Sequence, residues 1–104
     1  MTLSSQMNEA SKVCRISLSE RFDFHCVREF REAYEAVKDQ GVKHFDVDFS
    51  KTGFIDSSAL GMLVNMERYY KEFGVSIELS NCNEQVKKIL LIARFDKKFD
   101  ISFQ

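Results

Sequence analysis

The residues best suited to chemistry lie between positions 52 and 61, which read Thr-Gly-Phe-Ile-Asp-Ser-Ser-Ala-Leu-Gly. Asp56 precedes an apolar periodic run, and its side chain suits an N-cap, so Ser57 and Ser58 are predicted in the first turn of a helix. A hydroxyl there lies beside unpaired N–H donors and the positive end of the helix dipole, which tolerates a phosphate. We therefore predict that Ser57 is a phosphoacceptor, although Asp-Ser-Ser is also typical of ordinary capping with no further function.

Catalytic alternatives find less support in the same residues. The two histidines, His25 and His44, fall inside or beside predicted regular elements, which leaves Ser57 without a base. The segment also fails the G-x-S-x-G and P-loop patterns, because Gly61 is followed by Met-Leu. A phospho-aspartate receiver domain needs an acidic cluster and a lysine at the ends of its strands, and the sequence does not supply this combination. These absences favour a non-enzymatic protein.

A metal site finds equally little support. Asp46 and Asp48 alternate with apolar residues on one predicted strand, as expected of its solvent-facing side. The sequence therefore predicts no metal and no cofactor.

The elements that position Ser57 follow from hydrophobic periodicity. Residues 44–49 alternate with period two, which predicts a strand with one buried face. After Asp56, apolar residues recur at intervals of three and four, which predicts a helix to about Phe73. They are Ala59, Met62, Leu63, Met66, Tyr70 and Phe73.

The remaining elements give the order β-α-β-α-β-α-β. Strands are predicted over 13–18, 75–79 and 99–103. One helix, with Val27, Phe30, Tyr34 and Val37 on its apolar side, is predicted to end near Gly41. Another is predicted to open with a capping box of Asn81 and Glu84. Because apolar and polar residues alternate along the strands, one face of the sheet should be open to solvent. We predict an α/β fold: a single two-layer domain with a mainly parallel four-stranded sheet and helices mostly on one face.

Composition adds limits to the class of protein. With 104 residues, the chain is predicted to be a flexible N-terminal segment at 1–12 and one domain at 13–104. A net charge of −1 with no basic stripe argues against nucleic-acid binding, and the apolar runs are too short for membrane insertion. The N-terminus lacks signal-peptide character and the three cysteines form no C-x-x-C pair, so we expect a cytoplasmic protein with reduced thiols.

The segment Phe54–Gly61 resembles the D-S-S-G-L-G signature of STAS domains of the anti-sigma factor antagonist type, within a resemblance covering roughly 13–103. The resemblance implies a STAS-like fold with Ser57 as the phosphorylated residue, Asp56 as the neighbouring acid, Ser58 as a supporting hydroxyl and Gly61 as the second glycine. Ala59 stands where the family has its first glycine. The chain ends at Gln104 without the additional C-terminal helix of many relatives.

The resemblance also implies a partner switch. The unphosphorylated form would bind a serine protein kinase/anti-sigma factor or another downstream regulator, phosphorylation would end that binding, and a PP2C-type phosphatase would restore it. The output could be a sigma factor, another regulator, or a biofilm or stress programme. The alternative is a STAS adaptor subunit of a membrane transport complex, of the lipid-trafficking ABC kind. Candidate partner contacts near Ser57 are Phe54, Met62, Asn65 and Met66, for which core packing is the competing interpretation.

Overall fold

The centre of the fold is a five-stranded sheet. The structure is a computed structural model and describes residues 3–103. The strands of this sheet, in their spatial order, are β1 (Ser4–Asn8), β2 (Val13–Ser17), β4 (His44–Asp48), β6 (Ser76–Cys82) and β7 (Asp100–Phe103). All neighbouring strands are parallel except β1, which pairs antiparallel with β2.

A second, two-stranded ladder lies outside the main sheet. It pairs β3 (Arg21–Phe22) in parallel with β5 (Phe54–Ile55), with Arg21 opposite Phe54 and Phe22 opposite Ile55. The sequence analysis did not predict this ladder, because two residues are too few to show a period. The ladder matters because each of its strands leads directly into a helical segment.

Three α-helices connect the strands of the sheet: α1 (Val27–Glu35), α2 (Ser57–Tyr70) and α3 (Glu84–Ile92). Short 3₁₀ turns follow them at Lys38–Gln40, Lys71–Phe73 and Phe95–Lys97. The first two turns end at Gly41 and Gly74, with φ of 76° and 68°. Glycine adopts this left-handed conformation without the steric cost of a Cβ, which explains why these helical segments stop there.

The core lies between the helices and one face of the sheet. Ile16, Phe45, Val47 and Leu79 alternate along the central strands and are fully buried. The intervening residues of the opposite face, such as Asp46 and the exposed Arg15, are polar. This arrangement confirms the predicted two-layer, mainly parallel α/β domain.

Several expectations need correction. We predicted no element in residues 1–12, but Ser4–Asn8 forms β1, whose polar side chains gave no strand pattern; Met1 and Thr2 lie outside the described residues. The main sheet therefore has five strands rather than four. On the predicted apolar side of the first helix, Val27 is exposed, and Phe73 after the second helix is exposed as well.

The start of α3 was also predicted two residues too early. Strand β6 continues to Cys82, Asn81 takes a left-handed conformation with φ of 58°, and Asn83 is the N-cap, its side chain accepting from the Val86 N–H at 2.8 Å. Asparagine tolerates the left-handed region better than most residues. Two nearby asparagines therefore have different roles that spacing alone did not separate.

Within residues 3–103, no helix combines the length and the apolar character needed to cross a membrane.

Candidate functional site

Strand β5, which the sequence did not predict, leads through Asp56 into α2, and α2 begins after Asp56 as the sequence predicts. Asp56 is extended, with φ of −116° and ψ of −178°, and its Oδ1 accepts a hydrogen bond from the Ala59 N–H at 2.9 Å. This confirms Asp56 as the N-cap of α2. Asp56 also reaches outside its own helix, because Oδ2 accepts from the Phe24 N–H at 3.4 Å.

Ser57 and Ser58 are the first two residues of α2, and both side chains are exposed. The first N–H groups of a helix have no intrahelical partner, and the dipole makes this end positive. The first turn of α2 carries no acidic residue. A phosphate on either hydroxyl would therefore meet favourable backbone donors without a glutamate or aspartate inside the same turn.

The loop before β5 is fixed by three contacts. Thr52 is buried, and its hydroxyl donates to the carbonyl oxygen of Ser19 at 2.8 Å. The side chain of Asn83 donates to the carbonyl oxygen of Thr52 at 3.1 Å, and the Gly53 N–H donates to the carbonyl oxygen of Glu20 at 3.0 Å. These bonds join the loop to the residues just before β3 and to the cap of α3, so they position the approach to Ser57.

Asp48, at the end of β4, supports the same region of the fold. It accepts hydrogen bonds from the Asn81 amide at 2.9 Å, the Ser50 N–H at 3.0 Å and Arg15 at 3.0 Å. Burial alone would raise the pKa of Asp48, but these donors outweigh burial and lower the pKa below its ordinary value. Asp48 is therefore held as a carboxylate by protein groups.

Asp46 is similarly occupied by protein groups, because it accepts a hydrogen bond from the Ser80 hydroxyl and lies 3.9 Å from the Arg15 guanidinium. Across the described range 3–103, no three histidine, cysteine or acidic side chains are grouped in a way that could hold a metal ion.

The turn at Asp56 has a counterpart beside it at Asp23, and we call the two turns the Ser57 corner and the Asp23 corner. Strand β3 leads through Asp23 into a 3₁₀ turn at Phe24–Cys26, and Asp23 accepts from the His25 N–H at 3.1 Å. Phe24 has 60% of its surface exposed and Phe54 has 40%, and the guanidinium carbon of Arg21 lies 4.1 Å from the Phe54 ring centroid.

The two corners enclose a hollow of about 540 Å³ with a mostly apolar lining. We call it the corner hollow. Its lining residues are Arg21, Asp23, Phe24, His25, Cys26, Phe54 and Asp56.

Sequence reasoning missed Arg21 and Phe24 as site residues. The available signal was the recurrence of an aspartate directly before each helical segment, at Asp23 and at Asp56. The parallel pairing of β3 with β5 brings these aspartates side by side, and that pairing is visible only in three dimensions.

The candidate contacts separate into two groups. Phe54 and Asn65 are exposed, which agrees with a surface role. Met66 is completely buried and Met62 retains only 6% of its surface, so both pack in the core, which was the competing interpretation for them. The physical reason is that both lie on the apolar stripe of α2, which faces the sheet.

The histidines lie in different places. His44 is the first residue of β4, and its Nδ1 lies 2.6 Å from the Ser76 hydroxyl oxygen. His25 lies on the Asp23 corner, but its Nδ1 faces Asp23 at 3.3 Å and its ring stacks on Phe24 with centroids 4.0 Å apart. Among the contacts of residues 3–103, none joins His25 to Ser57.

Three comparisons with known proteins bear on this arrangement. A sequence model of the family described as "Mlab, STAS domain" matches residues 5–101, which is nearly the whole chain. The chain belongs to the STAS domain family. A STAS-domain containing protein of Pseudomonas aeruginosa (strain UCBPP-PA14) is 39% identical over 87 residues, covering 84% of this chain and 85% of that relative.

Solved structures share this STAS fold. The unphosphorylated form of the anti-sigma factor antagonist SpoIIAA superposes with a TM-score of 0.76 at 20% identity, covering 99% of this chain and 88% of SpoIIAA. SpoIIAA, a Bacillus cell fate determinant, is also similar in its phosphorylated form, with a TM-score of 0.74. A sulfate transporter family protein from Wolinella succinogenes gives a TM-score of 0.78 at 14% identity, covering 88% of this chain and 76% of that protein. The STAS fold thus occurs in both regulators and transporters.

Proposed function

We propose that this STAS protein is a non-enzymatic partner-switching regulator of the anti-sigma factor antagonist kind, controlled by phosphorylation of Ser57. In its unphosphorylated form it binds a serine protein kinase/anti-sigma factor or another downstream regulator. A PP2C-type phosphatase reverses the modification. The observation that carries the proposal is the exposed Ser57 at the first position of α2, next in the chain to Asp56, which lines the corner hollow.

Accessibility supports Ser57 over Thr52 of the same segment. Thr52 is buried, with its hydroxyl committed to Ser19, whereas Ser57 is exposed. In the transfer, the Ser57 oxygen takes the γ-phosphoryl group of ATP, its proton leaves, and ADP is released. Ser58 is exposed as well and serves as the matched comparison.

The effect of the phosphate on binding follows from its charge. It adds about −1.5 to −2 charges at the border of a surface where Phe24 and Phe54 are exposed. Burying such a charge against a partner costs free energy unless it is paired. Within the protein, the N-terminal donors of α2 still stabilise the phosphate, so the domain can remain folded while the complex dissociates.

The experiment begins with the intact mass of the protein purified from its native host, with and without phosphatase treatment, and fragmentation to locate any phosphate. We expect phosphate on Ser57. Partner capture with Ser57→Ala should then give a complex that Ser57→Asp abolishes, while the control Ser58→Asp weakens it less. If Ser57 is unmodified under several growth conditions and Ser57→Asp leaves partner binding unchanged, the switch is rejected.

A second candidate is an adaptor subunit of a membrane transport complex, of the lipid-trafficking ABC kind. It is favoured by the match to the family described as "Mlab, STAS domain" and by the fold shared with a sulfate transporter family protein. An adaptor should co-purify stably with a transport ATPase and should tolerate Ser57→Asp. The same pair of variants therefore separates the two candidates.

A further inference from the structure

Arg21 holds an exposed cation at the corner hollow, and its contacts are weak. Its Nε lies 3.4 Å from Asp23 Oδ2, a long hydrogen bond, and 63% of the side chain is exposed. Because the arginine of this ion pair is exposed, the pair contributes little to stability. The exposed cation–π contact between Arg21 and Phe54 also contributes only modestly. These contacts use Nε and place the guanidinium carbon over the Phe54 ring. Among residues 3–103 neither Nη group has a hydrogen-bond or ion-pair partner, so both are available to another acceptor.

The carboxylates of the hollow are already engaged. Asp56 accepts from the N–H groups of Ala59 and Phe24, and Asp23 accepts from the N–H of His25. Asp56 therefore does not depend on Arg21, and the Oδ1 of Asp23 keeps its contacts with the His25 N–H and ring when Arg21 moves. The buried Asp23 then loses the long bond from Arg21 Nε to its Oδ2, so the move costs this carboxylate one weak hydrogen bond.

Topology places Arg21 close to Ser57. Arg21 is the register partner of Phe54, both face outward from the β3–β5 ladder, and Phe54 precedes Ser57 by three residues. Arg21 also lines the same hollow as Asp56, the residue next to Ser57. A flexible arginine on this face and a phosphate on the first residue of α2 therefore meet across one small surface.

We propose that, when Ser57 is phosphorylated, the Arg21 guanidinium moves from the Phe54 ring to the phosphate. This rests on the proposed function, since it requires Ser57 as the phosphoacceptor. The arginine fork matches phosphate oxygens in a bidentate geometry, and a charge-assisted pair with a dianion is stronger than the two contacts it replaces. Phosphorylation then changes the partner surface twice: it adds a dianion, and it withdraws the cation that the unphosphorylated surface offers to a partner carboxylate.

The other ionisable groups at the hollow must be separated from Arg21 in any test. Asp23 competes for Arg21 and repels the phosphate, and Asp56 adds a second negative charge beside Ser57. His25 is exposed and could itself donate to the phosphate. The readout therefore has to distinguish Arg21 from His25.

The test uses the full chain with phosphoserine incorporated at position 57 during translation. A ³¹P NMR titration gives the second pKa of that phosphate, ordinarily about 6. We expect it to lie lower with Arg21 present than in Arg21→Gln by about 0.5, a threefold change in the ionisation constant. Arg68→Gln, which removes the same charge near the other end of α2, should leave the pKa unchanged. Arg21→Lys, which keeps the charge without the fork, should recover only part of the effect.

A second readout follows Arg21 directly. The ¹⁵N and ¹H shifts of its Nε–H group should change when phosphoserine replaces Ser57, also in a His25→Gln background. Equal phosphate pKa values in Arg21→Gln and the parent, or an effect that disappears with His25→Gln instead, would overturn the proposal. Because phosphoserine is installed directly, that result leaves the proposed function standing. The proposed function fails only if the native protein lacks the phosphate and Ser57→Asp leaves partner binding unchanged.

Discussion

The two corners at the corner hollow share one construction but carry different side chains on it. Each begins with an outward and an inward residue of the short ladder, Arg21 and Phe22 in one and Phe54 and Ile55 in the other. Each continues into an aspartate that caps the following helical segment. The next residue is the exposed Phe24 in one corner and Ser57 in the other. The cap is therefore general scaffolding, and the residue after it sets the chemistry of each corner.

The largest expected difference between the corners lies in their inward residues. Phe22 is fully buried, with its ring edge-on to Phe30 at 5.0 Å and to Phe49 at 6.1 Å between centroids. Phe22→Ala should lower the free energy of unfolding by about 3–5 kcal/mol, because it removes an aromatic contact and leaves a cavity. Urea denaturation monitored by circular dichroism measures this loss.

Ile55→Ala is the matched change in the other corner. An isoleucine truncation costs about 2–5 kcal/mol, and we expect the lower end because Ile55 keeps 6% of its surface exposed. Equal losses in the two variants would contradict the view that the Asp23 corner is the more firmly anchored.

The caps should differ by a smaller amount. Asp56→Ala removes the cap of the 14-residue α2 and the acceptor of the Phe24 N–H, whereas Asp23→Ala removes the cap of a 3-residue turn. Losing an aspartate cap costs about 0.5–2 kcal/mol, and we place Asp56→Ala above Asp23→Ala in that range. Thermal unfolding compares the pair, and Asp56→Asn is the control, because asparagine also caps. A larger loss from Asp23→Ala would reverse this order.

Sequence periodicity predicted the parts of the fold that are long enough to show a period. The stripe Ala59, Met62, Leu63, Met66 and Tyr70 is buried as expected, and Asp56 caps α2 as expected. Strand β1 was missed because its residues are mostly exposed and polar. The corner hollow was missed because the β3–β5 ladder joins segments more than 30 residues apart through two residue pairs. Such pairing is decided by tertiary packing, which overrides local preference.

Replacing Gly61 tests whether this glycine of the motif is needed for folding or for partner binding. It lies inside α2 on the exposed side, without a left-handed φ, and a Cβ added there would meet no atom within 4 Å. Gly61→Ala should therefore raise the free energy of unfolding by about 0.5–1 kcal/mol, measured by urea denaturation. A loss of stability would show an unseen packing constraint. If the variant is more stable but binds its partner less well, the glycine is needed at the interface rather than for folding.

The smallest expected effect is the acid sensitivity of the Asp23 corner. Burial would raise the pKa of Asp23, but hydrogen bonds from the His25 N–H and ring, with those of Arg21, lower it below its ordinary value. The unfolded chain then binds more protons than the folded one, so this stabilisation is present above the unfolded pKa and is lost as pH falls through the folded pKa.

Asp23→Asn should flatten the fall in stability between about pH 5 and pH 2, measured by urea denaturation at each pH. Part of the slope should persist, because the pKa of Asp48 is lowered as well. An unchanged slope would assign the acid sensitivity to Asp48 instead of the Asp23 cap.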